Sequence, residues 1–270
     1  MQKTFYEKLK NQCQSKESRL CIGLDIDHDL LPSNFNKTID GTLDFLKVII
    51  DSTSDLCAAY KLNMGFFEQF GSKGYELMEK TVEYIDDRSI TIADGKRGDI
   101  GNSSKMYAKS IFDQIGFDSA TISPYMGMDS VIPFLEDDRF GAFVLCLTSN
   151  PGSSDFQKNI YNSNPLFINV LNKLKELDNQ NVGIVVGATQ EEDMRLVRKT
   201  APSMPWLIPG IGKQGGNLEL SVSLGNKGDS FGLINVSRDI LYYKDSSENS
   251  IKSRVDYYHD KIKEILADGK

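Results

Sequence analysis

Short, nearly continuous apolar runs alternate along the chain with longer stretches whose apolar positions fall three and four residues apart. The runs at 20–25, 57–63, 90–94, 119–123, 141–147, 182–187, 206–209 and 231–236 read as strands buried on both faces. Helical spacing predicts helices over 39–56, 71–85, 103–115, 128–135, 165–177, 191–199, 217–224 and 251–266, with a short amphipathic one near 5–11 that carries Phe5, Tyr6 and Leu9. In the 103–115 stretch Met106, Tyr107, Ile111 and Phe112 mark the expected buried face, and Ser103 or Ser104 offers an N-cap. Roughly eight strand–helix units in about 250 residues match the count and size of a (β/α)8 barrel. A doubly wound open sheet is the alternative, but no GxGxxG follows the first strand. No linker or shift of composition divides the chain, so residues 1–270 are expected to form one barrel domain, with 157–164 and 244–249 as polar surface loops.

Composition narrows the picture without naming a chemistry. At 40% hydrophobic and 26% charged, the 270-residue chain can bury a large core. Its net charge of −7 sets aside no basic face for nucleic acid, so an anionic ligand would be held by a few specific cations. No apolar run reaches the length of a membrane span, and the first residues lack the apolar core of a signal peptide. Cys21, Cys57 and Cys146 sit inside apolar runs with no CxxC spacing, which reads as buried, reduced thiols and a cytoplasmic setting. His28 and His259 are too few and too far apart to suggest a metal cage.

In a barrel, the residues just past each strand's C-terminal end converge on one mouth. Here they are Asp25; Lys61 and Asn63; Asp94, Lys96 and Asp99; Ser123; Thr148 and Ser149; the turn 209–216; and Asn235, Ser237 and Arg238. Any one of them could be a solvated loop residue, and the charges after 90–94 could be a surface salt bridge. That nearly every strand end is polar, after strands so apolar, points instead to a site. The turn 209–216 exposes backbone N–H groups ahead of a helix, with Arg238 after the next strand. Loop amides, a helix N-terminus and an arginine at this corner suit a phosphate.

The stretch Asp94-Gly95-Lys96-Arg97-Gly98-Asp99-Ile100-Gly101 closely resembles the DxKxxDIG signature of the orotidine 5′-monophosphate decarboxylase family, in its longer bacterial and protist branch. Gly23-Leu24-Asp25, Tyr60-Lys61-Leu62-Asn63 with Phe66-Phe67-Glu68, Thr148-Ser149-Asn150-Pro151-Gly152, and the turn from Pro209 to Gly216 agree in matching order, so the resemblance runs from about Leu20 to Arg238. Gly95 stands where that branch is expected to carry alanine, a change that should add only loop freedom. The resemblance implies a cytoplasmic lyase of UMP biosynthesis that decarboxylates orotidine 5′-monophosphate (OMP) to uridine 5′-monophosphate (UMP). It also implies no metal or organic cofactor and a homodimer with shared active sites. Carried over residue by residue, Lys61, Asp94 and Lys96 act in one subunit and Asp99 reaches into the partner's site. Asp25 and Lys61 would hold ribose hydroxyls, with Asn63 nearby. Ser149, with or without Thr148, would bond the pyrimidine. Pro209, Gln214 and Arg238 would line the phosphate, and Ile100 and Ser103 would close the site from the neighbouring chain.

Those residue types suit the chemistry. Loss of CO2 from C6 of a pyrimidine leaves a carbanion in the ring plane, which a nearby ammonium such as Lys96 can stabilise and then protonate. Flanking carboxylates would keep that lysine charged and fixed. Two other readings remain open on the residues: a metal-dependent sugar-phosphate lyase or epimerase, for which no clear His/Glu ligand set surrounds Asp94, and a catalytically silent phosphate-ligand binding protein.

Overall fold

In the computed structural model the described residues are 2–268; positions 1, 269 and 270, which the expected domain span includes, lie outside them. Eight parallel strands close into a barrel: β1 (Leu20–Gly23), β2 (Ala59–Asn63), β3 (Ile90–Arg97), β4 (Ser119–Ile122), β5 (Gly141–Leu147), β6 (Val182–Val186), β7 (Trp206–Ile208) and β8 (Gly232–Val236). Each pairs with its sequence neighbours, and β8 returns to β1 with Leu20 opposite Ile234. The expected (β/α)8 architecture is therefore the observed one. Among the described residues no helix is long and apolar enough to cross a membrane.

The strands are apolar throughout because both faces are covered. Side chains of one parity (Ile22, Tyr60, Val144, Ile184, Ile234) pack outward against the helix ring. Those of the other parity (Cys21, Ala59, Ile92, Phe143, Val185, Leu207, Leu233) fill the lumen together with Phe5, Leu9 and Cys13 of the first helix, Phe5–Ser15. That helix is a floor for the barrel, a placement its amphipathic pattern did not specify. Thr4 and Glu7 form a capping box at its start. Phe5 meets Phe143 edge-on at 6.0 Å between ring centroids. A Cβ on Gly141 would lie 2.1 Å from the Phe5 ring, so only glycine admits that ring. All four cysteines are buried free thiols.

Several expectations are corrected in detail. The third strand runs on past Asp94 to Arg97, with its register against β4 shifting between Ala93 and Arg97. The helix after it starts at Gly101, ahead of both serines; Ile100 is the N-cap, and Ser104 is buried and donates to the Ser130 carbonyl instead. Met106 and Tyr107 point to solvent at 53% and 42% exposure, while Ser104 and Ala108 take the buried face before a π-turn at Ser110–Ile115. The 128–135 helix is two 3-10 turns, Met128–Ser130 and Ile132–Leu135. The loop 157–164 contributes to a two-residue antiparallel ribbon, Ile160–Tyr161 with Asn164–Pro165.

Because Phe5 closes the lumen from below, Phe5→Ala is expected to lower unfolding stability by about 3–5 kcal/mol. Urea titration measures this, and a loss below about 1 kcal/mol would mean that the ring is not filling the floor.

Candidate active site

Inward-facing parity continues two residues beyond the lumen's apolar layer and changes it into a charged one. Ala59 is followed two positions on by Lys61, Ile92 by Asp94, and Ser119 by Thr121. The register of β2 against β3 sets Lys61 opposite Ile92 and Asn63 opposite Asp94. The result is a compact array on one carboxylate. Asp94 Oδ2 accepts from Lys61 Nζ at 2.7 Å, and Asp94 Oδ1 accepts from Lys96 Nζ at 2.7 Å and from Thr121 Oγ1 at 3.0 Å. Lys61 is buried and also faces Asp25, with Nζ 3.6 Å from Asp25 Oδ1. That Asp25 oxygen is buried with no hydrogen bond, so it has capacity for a ligand hydroxyl.

The two lysines differ in setting. Burial alone would lower the Lys61 pKa, but the Asp25 and Asp94 carboxylates outweigh it and hold the ammonium well above the usual lysine range. Burial would raise the Asp94 pKa, and the two ammonium groups reverse that and hold the carboxyl well below the usual carboxylate range. Lys96 is half exposed, so its ammonium faces the open mouth.

Lys96 has φ +46°, a left-handed backbone that costs a non-glycine residue roughly 1–2 kcal/mol. It sits inside the register shift of β3 against β4. Thr121 occupies that gap: its Oγ1 accepts the Lys96 backbone N–H at 2.9 Å while donating to Asp94. Reading strand ends did not single out Thr121, since a threonine inside a short strand is ordinary; inward parity one step above Ser119 was the available signal. Gly95 also proves to be more than loop freedom. A Cβ there would lie 2.6 Å from Met64 Sδ, so the methionine side chain occupies the space an alanine methyl would need.

The remaining residues gather around this array or at the far side of the mouth. Asn63 Oδ1 accepts from the Gly65 N–H and anchors the short helix Gly65–Glu68. Among the described residues Asp99 pairs with no lysine; its Oδ1 accepts the Ile100 N–H at 2.7 Å. Ile100 and Ser103 are exposed beside it. Thr148 is tied to Asn150 and Gln157, whereas Ser149 Oγ donates to Gln214 Oε1 at 3.0 Å and so joins the β5 end to the glycine-rich turn. In that turn Gly210, Gly212 and Gly215 all take positive φ, the Pro209 carbonyl accepts from the Ala188 N–H, and Asn217 caps the helix Leu218–Gly225 that follows. Arg238 is exposed at the start of the short helix Arg238–Leu241. No group of three or more His, Cys, Asp or Glu residues is arranged to hold a metal ion among the described residues.

A closed parallel barrel with a lysine–carboxylate array at its C-terminal mouth and a glycine-rich turn after its seventh strand defines a (β/α)8-barrel enzyme. The comparison with known proteins is narrower. The chain belongs to the orotidine 5′-phosphate decarboxylase / HUMPS family, whose model matches residues 18–252. It is 44% identical over 250 residues to an orotidine 5′-phosphate decarboxylase of Dehalococcoides mccartyi, covering 90% of this chain and 91% of that one. Its structure is similar to that of Leishmania donovani OMP decarboxylase at 33% identity and a TM-score of 0.86, covering 97% of this chain and 98% of that one. The Plasmodium berghei orotidine 5′-monophosphate decarboxylase structure matches at 27% identity and a TM-score of 0.86, covering 98% and 99% of the two chains.

The array makes a signed prediction for pH. The depressed Asp94 pKa contributes stability that is fully present above the unfolded value of about 3.9 and is lost as pH falls through the folded value. The raised Lys61 pKa contributes stability that is fully present below about 10.4 and is lost as pH rises through its folded value. Asp94→Asn is therefore expected to cost about 3–5 kcal/mol at neutral pH, a gap that narrows only below about pH 4. Urea unfolding of both proteins across pH measures it, and a gap of constant size down to pH 2 would mean that Asp94 is not an ion-paired carboxylate.

Proposed function

We propose that this chain is an orotidine 5′-monophosphate decarboxylase, converting OMP to UMP and CO2 as the last step of UMP biosynthesis. In this reading the whole chain acts as one barrel domain and works without metal or organic cofactor. The observation that carries the reading is the Lys61–Asp94–Lys96 array at the barrel mouth, in a chain 44% identical to relatives named for this activity. The buried free thiols fit a reducing compartment, and we place the enzyme in the cytoplasm.

As the bond from C6 to the carboxyl carbon breaks, CO2 leaves and the electron pair stays on C6 in the plane of the ring. Lys96, fixed through Asp94, places a positive charge beside that carbon and then donates a proton from Nζ to form the C6–H bond of UMP. Solvent returns the proton to the amine. Asp94 also faces the substrate carboxylate. Two like charges about 4 Å apart repel by roughly 4 kcal/mol at an effective dielectric near 20, and that repulsion vanishes with CO2. Asp25 and Lys61 hold ribose hydroxyls, with Asn63 beside them. Ser149 contacts the pyrimidine, and its bond to Gln214 favours it over Thr148, whose hydroxyl is engaged within its own loop. Pro209, Gln214 and Arg238 receive the phosphate, and its binding energy orients the reacting ring and draws the turn closed.

The enzyme in this reading is a homodimer with shared sites. Among the described residues Asp99 forms no ion pair, and the chain on either side of the Gly101–Lys109 helix leaves apolar side chains open: Ile100, Met106, Tyr107, Tyr125, Met126 and Ile132 are all more than two-fifths exposed. A partner covering that face would bring its Asp99 to this chain's Lys96, with its Ile100 and Ser103 closing the pocket.

Incubation with OMP, followed by loss of pyrimidine absorbance, tests the activity; turnover is expected to be unchanged by a chelator and abolished in a folded Lys96→Ala protein. Loss of activity to the chelator would favour a metal-dependent sugar-phosphate relative, and binding without product would favour a silent binding protein. The shared site has its own test. Mixing inactive Lys96→Ala and Asp99→Ala chains should restore activity through one intact hybrid site, and no recovery in verified mixed dimers would overturn it.

A further inference from the structure

The last helix, Glu248–Asp268, packs on the barrel through Ile251, Val255 and Ile262, all fully buried. It also carries a polar cluster that this packing does not need. Asp239 Oδ2 accepts from Tyr258 Oη at 2.5 Å and from Arg254 Nη2 and Nε at 2.6 and 3.0 Å. The Arg254 guanidinium lies 5.0, 4.6 and 4.9 Å from the ring centres of Tyr243, Tyr257 and Tyr258. Gathering a carboxylate and a guanidinium among three rings removes much of the hydration of both, leaving each side chain about one-fifth exposed, a cost that an apolar contact would avoid.

The position of the cluster supplies a purpose. Asp239 directly follows Arg238, so holding its side chain holds the backbone from which Arg238 rises. On its other side lies the glycine-rich turn. Gly212 has φ +82°, and a Cβ on it would come within 2.9 Å of Asp239 Cβ and 3.2 Å of Tyr258 Oη. The turn is seated on the Asp239–Tyr258 pair, two residues before Gln214. One hydrogen-bonded carboxylate thus touches both halves of the phosphate grip, the turn after β7 and the arginine after β8.

We propose that Asp239, Arg254 and Tyr258 are positioning residues for the substrate phosphate: through the last helix they hold Arg238 and the Gly212–Gln214 turn in register. The inference rests on the phosphate assignment made above. Preorganisation of this kind acts through the phosphate, so it changes turnover of the phosphorylated substrate and leaves that of the bare nucleoside unaltered.

The test compares OMP with orotidine, the same nucleoside without its phosphate, in single-turnover assays of Tyr258→Phe. This variant keeps the ring and its packing and removes only the hydroxyl. The ratio of kcat/KM for OMP to that for orotidine is expected to fall by about tenfold, as for loss of one hydrogen bond to a charged group. Asp239→Asn, similar in shape, should lower the same ratio and serves if Tyr258→Phe does not fold. Arg238→Ala is the benchmark. If it lowers the ratio and the two cluster variants leave it unchanged, or reduce both substrates in proportion, the positioning role is overturned and the phosphate assignment stands. If Arg238→Ala itself leaves the ratio unchanged, both are overturned.

Discussion

One carboxylate organises the mouth of this barrel. Asp94 accepts from two ammonium groups and one hydroxyl, and each of those donors depends on it for a different reason. Lys61, buried at the top of the lumen, is held in its charged form by Asp25 and Asp94, which outweigh the effect of burial. Lys96 needs Asp94 for direction, since its long side chain is otherwise free at the mouth. Thr121 uses Asp94 as the acceptor that fixes its hydroxyl, which leaves an oxygen lone pair aimed at the Lys96 backbone. The left-handed turn at Lys96 and the shifted β3–β4 register are thereby compensated by the group they serve to present.

Much of this was legible in the sequence because parallel strands write a simple pattern. Eight apolar runs fixed the barrel, and Lys61 and Asp94 could be found as the first charges after them. The fine geometry was not legible. Nothing in the letters around Lys96 marks it as left-handed, and glycines on both sides would equally have suited an open loop. The Gly101–Lys109 helix shows a second kind of blindness. Met106 and Tyr107 obey the spacing of a core face, yet they are exposed, because amphipathic periodicity reports an apolar stripe without saying what covers it. Its start was missed for a related reason: two serines advertised a cap, while the chain turned at Ile100, where Asp99 folds back onto the Ile100 N–H.

The two ends of the barrel divide the physical work. Below, aromatic and aliphatic side chains of the first helix close the lumen and exclude water. Above, charges stand on that dry layer, one step along the same strands. At the level of Ala59 the lumen is apolar; two residues on, Lys61 has two carboxylates beside it. The glycine-rich turn after β7 lies on the opposite side of the mouth from Lys96 and is tied to the β5 end by the Ser149–Gln214 bond.

The pairing of β1 with β8 joins residues 20–22 to 234–236, which has a consequence for how the protein is made. The floor helix and the first strand leave the ribosome before the elements that cover them, and the first strand lacks one neighbour until the eighth has emerged. Phe5 waits for Phe143, and Leu20 waits for Ile234. Over that interval the nascent chain carries an open sheet edge and, at first, an unsheltered aromatic helix. The interval between translating the first strand and the eighth is when this protein is most exposed to misassociation and most in need of chaperone shelter.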